Sequence, residues 1–299
     1  MCNIRFFMIK SLRLWLLLPL LAWSHLLLAD PAFYRLEKGE QTLWLLGSVH
    51  AGTPALYPLP APIEAAWRQS RQLVVEVDLT RIPPEELAAM GPLTRLSPPQ
   101  TLSRMLPAPL YQRLVSAAHE LGISPESLEG LQPWFAALTL TQAALTRHGF
   151  DPALGIDSHF LALASHEGKP VIGLEGFAEQ LGYLASVAKY QEVMLSSTLD
   201  ELTGFRAAFD KVLKAWQAGD EKTLTTLLRE EMGPAELQAW LEQKLLAERN
   251  HRWLAKLPSL PAQSLVVVGA LHLYGTDGLL EGAKKIGYQV KPITNPIAD

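Results

Sequence analysis

The sequence predicts an α/β fold, in the α+β sense: a central mixed sheet built from the N- and C-terminal parts, with a large helical insertion. Three observations predict it. Short apolar runs with strand character cluster at residues 33–79 and return at 264–292. The stretch from about 84 to 256 instead interleaves charged and apolar residues at helical spacing. Two segments more than 200 residues apart also read almost alike. One is Leu43-Trp44-Leu45-Leu46-Gly47-Ser48-Val49-His50, the other Leu265-Val266-Val267-Val268-Gly269-Ala270-Leu271-His272. Each is a buried-strand run followed by Gly-x-x-His.

The elements follow in order. Residues 33–37 and 41–46 form a hairpin across Lys38-Gly39. Residues 60–70 form a short helix with Pro62 in its first turn. Leu73-Val74-Val75-Glu76-Val77-Asp78 alternates as a strand, with Glu76 and Asp78 on one face. Leu110, Leu114 and Ala117-Ala118 lie on a helix that stops at Gly122. A second helix covers 135–147 and ends at Gly149. A third carries Ile156, Phe160, Leu161 and Ala164 before Gly168. Val171-Ile172-Gly173-Leu174 is a short strand. Helices over 177–195, 199–217, 221–231 and 235–256 complete the insertion. Strand 264–268, a helix from about 277 to 287 and a last strand at 288–290 close the chain. No low-complexity linker intervenes, so residues 30–299 read as one domain.

Residues 1–29 read as a secretory signal peptide. Lys10 and Arg13 precede an apolar stretch from Leu14 to Ala29, and Asp30-Pro31 ends it. Cleavage is expected after Ala29, with Met8 as a second candidate start. An uncleaved membrane anchor is the alternative, but the stretch is shorter than the ~20 residues of a spanning helix. The expected location is the periplasm or the exterior. The only cysteine, Cys2, lies in this segment, so the mature chain has neither disulfide nor cysteine metal site. Its 270 residues must rest on an apolar core. Losing Arg5, Lys10 and Arg13 leaves 23 basic against 30 acidic side chains, a net charge of −7. That balance, without any Lys/Arg run, argues against a nucleic-acid partner.

The duplicated Gly-x-x-His places His50 and His272 just past strand ends, where α/β proteins keep their chemistry. Imidazole is the commonest metal ligand and a general base near neutral pH. Glu76 is the third candidate, because a carboxylate at the end of an apolar strand is costly unless paired or coordinated. Two His and one Glu make a familiar set for catalytic zinc. Carboxylate-rich variants admit manganese. Asp78, Glu175, Gln180 and Asn250 are candidate second-layer partners. Arg249 is expected to pair with the acids and to stabilise an oxyanion. Tyr274 and Asp277 are placed to shape the pocket mouth. G-x-S-x-G, Walker A and G-x-G-x-x-G are all absent. Ser48 is the least improbable nucleophile.

These residues resemble the TraB/GumN family, which includes the Tiki-type proteases. The marks are Gly47-Ser48-Val49-His50, Val75-Glu76-Val77-Asp78, Leu174-Glu175 to Gln180, Arg249-Asn250, and Val268-Gly269-Ala270-Leu271-His272 followed by Gly275-Thr276-Asp277-Gly278-Leu279. They span essentially the whole mature chain. Ala270-Leu271-His272-Leu273 departs mildly from the glycine-richer form common in the family. The resemblance implies metal-dependent peptidase chemistry on His50, His272 and Glu76. It also implies an α/β core with a helical insertion, shared with erythromycin esterase-like and ChaN-like proteins. Three functions follow as expectations. The first is a secreted or periplasmic metal-dependent hydrolase, peptidase-like, using manganese, cobalt or zinc. The second is a metal-independent esterase-like hydrolase, and the third a non-catalytic envelope or polysaccharide-associated binding protein. The substrate is then a peptide, a saccharide or another small molecule.

Overall fold

The computed structural model describes residues 31–230 and 233–294, without the side chains of residues 228–230. The expected signal peptide and its cleavage point lie outside the described residues. Six strands form one mixed sheet: β1 (Phe33–Lys38), β2 (Gln41–Ser48), β3 (Gln72–Val75), β4 (Val171–Gly173), β5 (Ser264–Gly269) and β6 (Gln289–Pro292). Their spatial order is β4-β3-β5-β2-β1-β6. The first four in that order run parallel; β1 is antiparallel to both β2 and β6. Strands from the two ends of the chain therefore alternate in space, and the expected mixed sheet is what forms.

Among the described residues, thirteen α-helices accompany the sheet. They are α1 (Ala61–Gln69), α2 (Pro84–Thr94), α3 (Leu102–Met105), α4 (Ala108–Leu121), α5 (Pro133–Arg147), α6 (Ile156–Glu167), α7 (Phe177–Ala185), α8 (Gln191–Glu201), α9 (Phe205–Gln217), α10 (Glu221–Glu230), α11 (Ala235–Trp240), α12 (Glu248–Lys256) and α13 (Leu279–Lys285). No helix among the described residues is long and apolar enough to cross a membrane.

The strand interiors are apolar on both faces, as helices covering both sides of a parallel sheet demand. Leu43, Leu45, Leu46, Leu73, Val74 and Leu265 through Val268 are all buried. Helices reach this core with large side chains. The rings of Trp67 on α1 and Phe160 on α6 lie 5.4 Å apart. Trp216 on α9 donates Nε1–H to Gly47 O at 2.7 Å. Two further apolar clusters lie within the insertion. One gathers Leu102, Leu114, Ala118, Leu140 and Leu195; the other gathers Trp134, Leu181, Val187, Leu237 and Trp240.

Several boundaries differ from the sequence reading. β3 stops at Val75 rather than Asp78: Val75 is the last residue paired on both sides, with Gly173, where β4 ends, and with Val267 of β5, which runs on to Gly269 beside β2. The expected helix 177–195 is interrupted by a 3-10 turn over Ser186–Tyr190, and the next helix runs on to Glu201. The expected helix 199–217 begins only at Phe205. The long helix 235–256 is continuous in direction but π-helical over Leu241–Ala247. The helix expected from about 277 starts at Leu279.

Candidate functional site

The duplicated motif is one structural feature seen twice. β2 and β5 are adjacent and parallel, with Gly47 opposite Val268 and Ser48 opposite Gly269. Both chains therefore leave the sheet at the same edge. β3 and β4 end at that edge too. Four neighbouring parallel strands each deliver one polar side chain there: Glu175 after β4, Glu76 after β3, His272 after β5 and His50 after β2. The C-terminal edge of parallel strands is where such folds hold ligands.

The motif glycines make the approach possible. A Cβ on Gly47 would lie 3.0 Å from Ala270 Cα, so this glycine lets the 3-10 segment Ala270–Leu273 close over β2. A Cβ on Gly269 would lie 3.3 Å from Glu76 Oε1, 3.7 Å from His272 Cδ2 and 3.7 Å from His50 Nε2. Two imidazoles and one carboxylate thus converge on a space that any other residue would fill.

Arg249 organises the interior of the site. Its Nη2 donates to Glu76 Oε2 at 2.5 Å and to Glu175 Oε1 at 2.6 Å, and its Nε donates to Glu175 Oε1 at 3.0 Å. Its Nη1 donates to Leu245 O at 3.1 Å and lies 3.0 Å from His272 Nε2. Gln180 Nε2 donates to Glu76 Oε2 at 3.1 Å and to Glu175 Oε1 at 3.2 Å. Gly269 N donates to Glu76 Oε1 at 2.8 Å. The Trp253 ring lies 4.6 Å under the guanidinium carbon and 4.4 Å from the His272 ring.

The network fixes the proton positions. Asn250 Nδ2 donates to His272 O at 3.1 Å and Asp277 O at 2.8 Å, so its Oδ1 is the acceptor. His272 Nδ1, 2.7 Å away, therefore carries the proton, and Nε2 offers the lone pair that Arg249 meets. On the other ring, His50 Nδ1 lies 3.0 Å from Asp157 Oδ2, an acceptor, which again leaves Nε2 pointing inward. Asp157 Oδ1 accepts from Ser48 Oγ at 2.8 Å.

Burial and neighbours shift the titrations apart. Asp157 raises His50 to about 9 against the opposing effect of desolvation. Burial pushes His272 down to about 3, which keeps it neutral and agrees with its role as acceptor from Arg249. Burial alone would raise Glu76, but His272, Arg249 and His50 draw it down to about 2. With His272 uncharged, that stabilisation rests on Arg249, the Gly269 N–H and His50. Burial raises Glu175, and Arg249 offsets part of the rise.

The TraB/PrgY/gumN family matches residues 32–292. The chain belongs to the TraB/PrgY/gumN family. It is 29% identical over 244 residues to "Uncharacterized protein YbaP" of Escherichia coli (strain K12), covering 81% of this chain and 87% of that one. The same figures hold for "Uncharacterized protein YbaP" of Shigella flexneri. No solved structure gives a significant match.

In this TraB/PrgY/gumN chain the structure brings together His50, His272, Glu76, Glu175, Gln180, Arg249 and Asn250. It does not bring Asp78 to them. The chain turns after β3, and Asp78 Oδ1 accepts from Thr80 N at 3.0 Å and Thr80 Oγ1 at 2.6 Å. Arg249 is present but not in the oxyanion role expected of it. Each of its five N–H groups already has a protein acceptor, so it is a scaffold for the acids. Ser48 is buried and donates its hydroxyl hydrogen bond to Asp157 Oδ1, the carboxylate that also holds His50. Tyr274 lines a cleft with Leu241, Leu246 and Leu271, beside His272 in sequence. Asp277 contributes only its carbonyl, to Asn250. Sequence reasoning missed Asp157. Its one signal was an acid in the first turn of a helix, which many helices show for their dipole alone.

Proposed function

We propose that this chain is a secreted or periplasmic hydrolase acting on peptide substrates with a divalent ion held by His50, Glu76 and His272. One observation carries the reading: these three side chains meet in the space above Gly269. The donor set of two imidazole nitrogens and one carboxylate oxygen suits zinc, cobalt or manganese. His272 Nε2 and Glu76 Oε1 stand 3.8 Å apart, within the range two ligands of one ion can span. Among the described residues no three such groups already lie as close as a bound ion would draw them. His50, whose side chain is 72% exposed, has the most room to move.

The charge count supports the reading. Glu76, Glu175 and Asp157 carry three negative charges against one on Arg249, and a divalent ion with neutral His50 would close the balance. Such an ion would polarise a carbonyl and lower the pKa of its water. The chain's own residues prepare for it. Glu76 is ionised and immobilised by Arg249 and Gln180. His272 is kept neutral, so its nitrogen needs to lose no proton. His50 must release one proton to solvent.

A second reading rests on a different contact. Arg249 Nη1 sits 3.0 Å from His272 Nε2, on the lone pair the ion would use. A metal-independent, esterase-like hydrolase would keep that contact, with cationic His50 as the proton donor and Glu76 orienting it. The purified protein decides between them. The first reading expects bound metal and peptidase activity with manganese, cobalt or zinc, both lost in His50→Ala and His272→Ala. Activity that survives chelation transfers the case to the second. Metal content and activity unchanged in both variants would end the first. Specific saccharide binding without turnover of any substrate would favour a binding protein.

A further inference from the structure

An imidazole as exposed as His50 has little packing to fix its plane, yet its Nε2 reaches the same space above Gly269 as Glu76 Oε1. The chain supplies a fixing device from a distant segment. Gly52 and Asp151 exchange two backbone hydrogen bonds, at 3.0 and 2.8 Å, and Ile156 N donates to Val49 O at 2.9 Å. A Cβ on Gly155 would lie 2.5 Å from His50 O, so only glycine lets the two backbones touch. This lacing sets the first turn of α6 beside His50. Asp157 then accepts at Oδ2 from His50 Nδ1 at 3.0 Å, and at Oδ1 from Ser48 Oγ at 2.8 Å. With both oxygens engaged, the carboxylate plane is set.

We propose that Asp157, steadied by Ser48, is the positioning residue for His50: it holds the proton on Nδ1 and aims Nε2 at Glu76. The same plan recurs at His272, where Asn250 Oδ1 takes the Nδ1–H at 2.7 Å. An acceptor behind the ring serves a metal-bound imidazole and a proton-transferring one alike. The assignment therefore holds under either functional reading, and only its metal arm rests on the first.

Imidazole NMR of the ¹⁵N-labelled protein tests it. A downfield Nδ1–H resonance, assigned to His50 by its loss in His50→Ala, is expected in the wild type. Asp157→Ala should abolish it while the melting temperature moves by only a few degrees. Asp157→Asn, which keeps an acceptor oxygen without the charge, should shift it upfield. Titration with Co²⁺ should show affinity reduced about 10–100-fold in Asp157→Ala. A wild type lacking the resonance, or an Asp157→Ala protein retaining it, overturns the assignment, as does an unchanged shift in Asp157→Asn. A wild type that binds no Co²⁺ counts against the metal reading alone, and the NMR result still decides the positioning role.

Discussion

Gly269→Ala separates the site from the fold more cleanly than any other single change. Gly269 has φ −49° and ψ 134°, a conformation alanine adopts freely. The added methyl would meet Glu76 Oε1 at 3.3 Å and both His272 Cδ2 and His50 Nε2 at 3.7 Å. The last two are ordinary contacts, and the first asks for a shift of a few tenths of an ångström. Replacing glycine at a compatible site gains about 0.4–1 kcal/mol from the unfolded chain. The tight contact costs about 1 kcal/mol, near the lower bound for overpacking. Net stability should therefore stay within about 1 kcal/mol, a melting shift of about 2–4 °C at this chain length. The consequence for chemistry is different in kind. The methyl occupies the point where the three side chains converge, so whatever they bind there must stand aside, and a displacement of it approaching 1 Å costs about 100-fold in rate. Calorimetric melting, peptide hydrolysis and Co²⁺ titration on the same preparation make the comparison. A folded Gly269→Ala protein with wild-type turnover and metal affinity would show that the convergence above Gly269 is not the reaction site.

Other outcomes follow from the same geometry. Arg249→Met leaves Glu76 and Glu175 buried without their cation, and should cost about 3–5 kcal/mol in denaturant unfolding; a loss below about 1 kcal/mol would contradict its scaffold role. Glu76, held at about 2 against an ordinary 4.5, contributes stability that is complete above pH 4.5 and lost as pH falls through 2. That acid-side loss should shrink in Glu76→Gln. His50, at about 9 against 6.5, gives the opposite sign: its contribution is complete below pH 6.5 and fades as pH rises through 9. The alkaline loss should be absent from His50→Ala, and its persistence there would assign it to another group. Ser48→Ala should cost about 1 kcal/mol for the lost hydrogen bond and keep activity within about tenfold; complete loss of turnover in a folded protein would restore Ser48 as a nucleophile.

Much of this was legible in the sequence because the signals are local. The hairpin of β1 and β2 and the two Gly-x-x-His strands announce themselves by short apolar runs and glycine. Glu175 follows a short apolar strand as Glu76 does, Gln180 lies a helical turn beyond it, and Asn250 sits beside Arg249 on one helix, so all three are visible from local pattern. What was illegible depends on distant partners. The Val75-Glu76-Val77-Asp78 alternation looks like a continuing strand, but its pairing on the outer side ends where β4 ends, at Gly173, and the chain turns away although β5 runs on to Gly269. Hence Asp78 leaves the site. The π-helical turns over Leu241–Ala247 have no periodic signature strong enough to show against an α-helix. Arg249 was placed with its acids, but only the acceptor at every N–H shows that none remains for an oxyanion. Asp157 reaches His50 through a backbone pairing between residues 49–52 and 151–156, which neither segment advertises.

The strand order has a consequence for how the molecule comes into being. β5 lies between β3 and β2 in space, yet it is made after both and after the whole insertion. Until residues 264–269 exist, β2 and β3 each expose an unpaired apolar edge, and neither His272 nor the Gly269 N–H is in place. Closing so long a loop is costly before its contacts form, so the sheet must complete late and largely at once. A chain stopped before β5 would be aggregation-prone, with the convergence of side chains above Gly269 unformed.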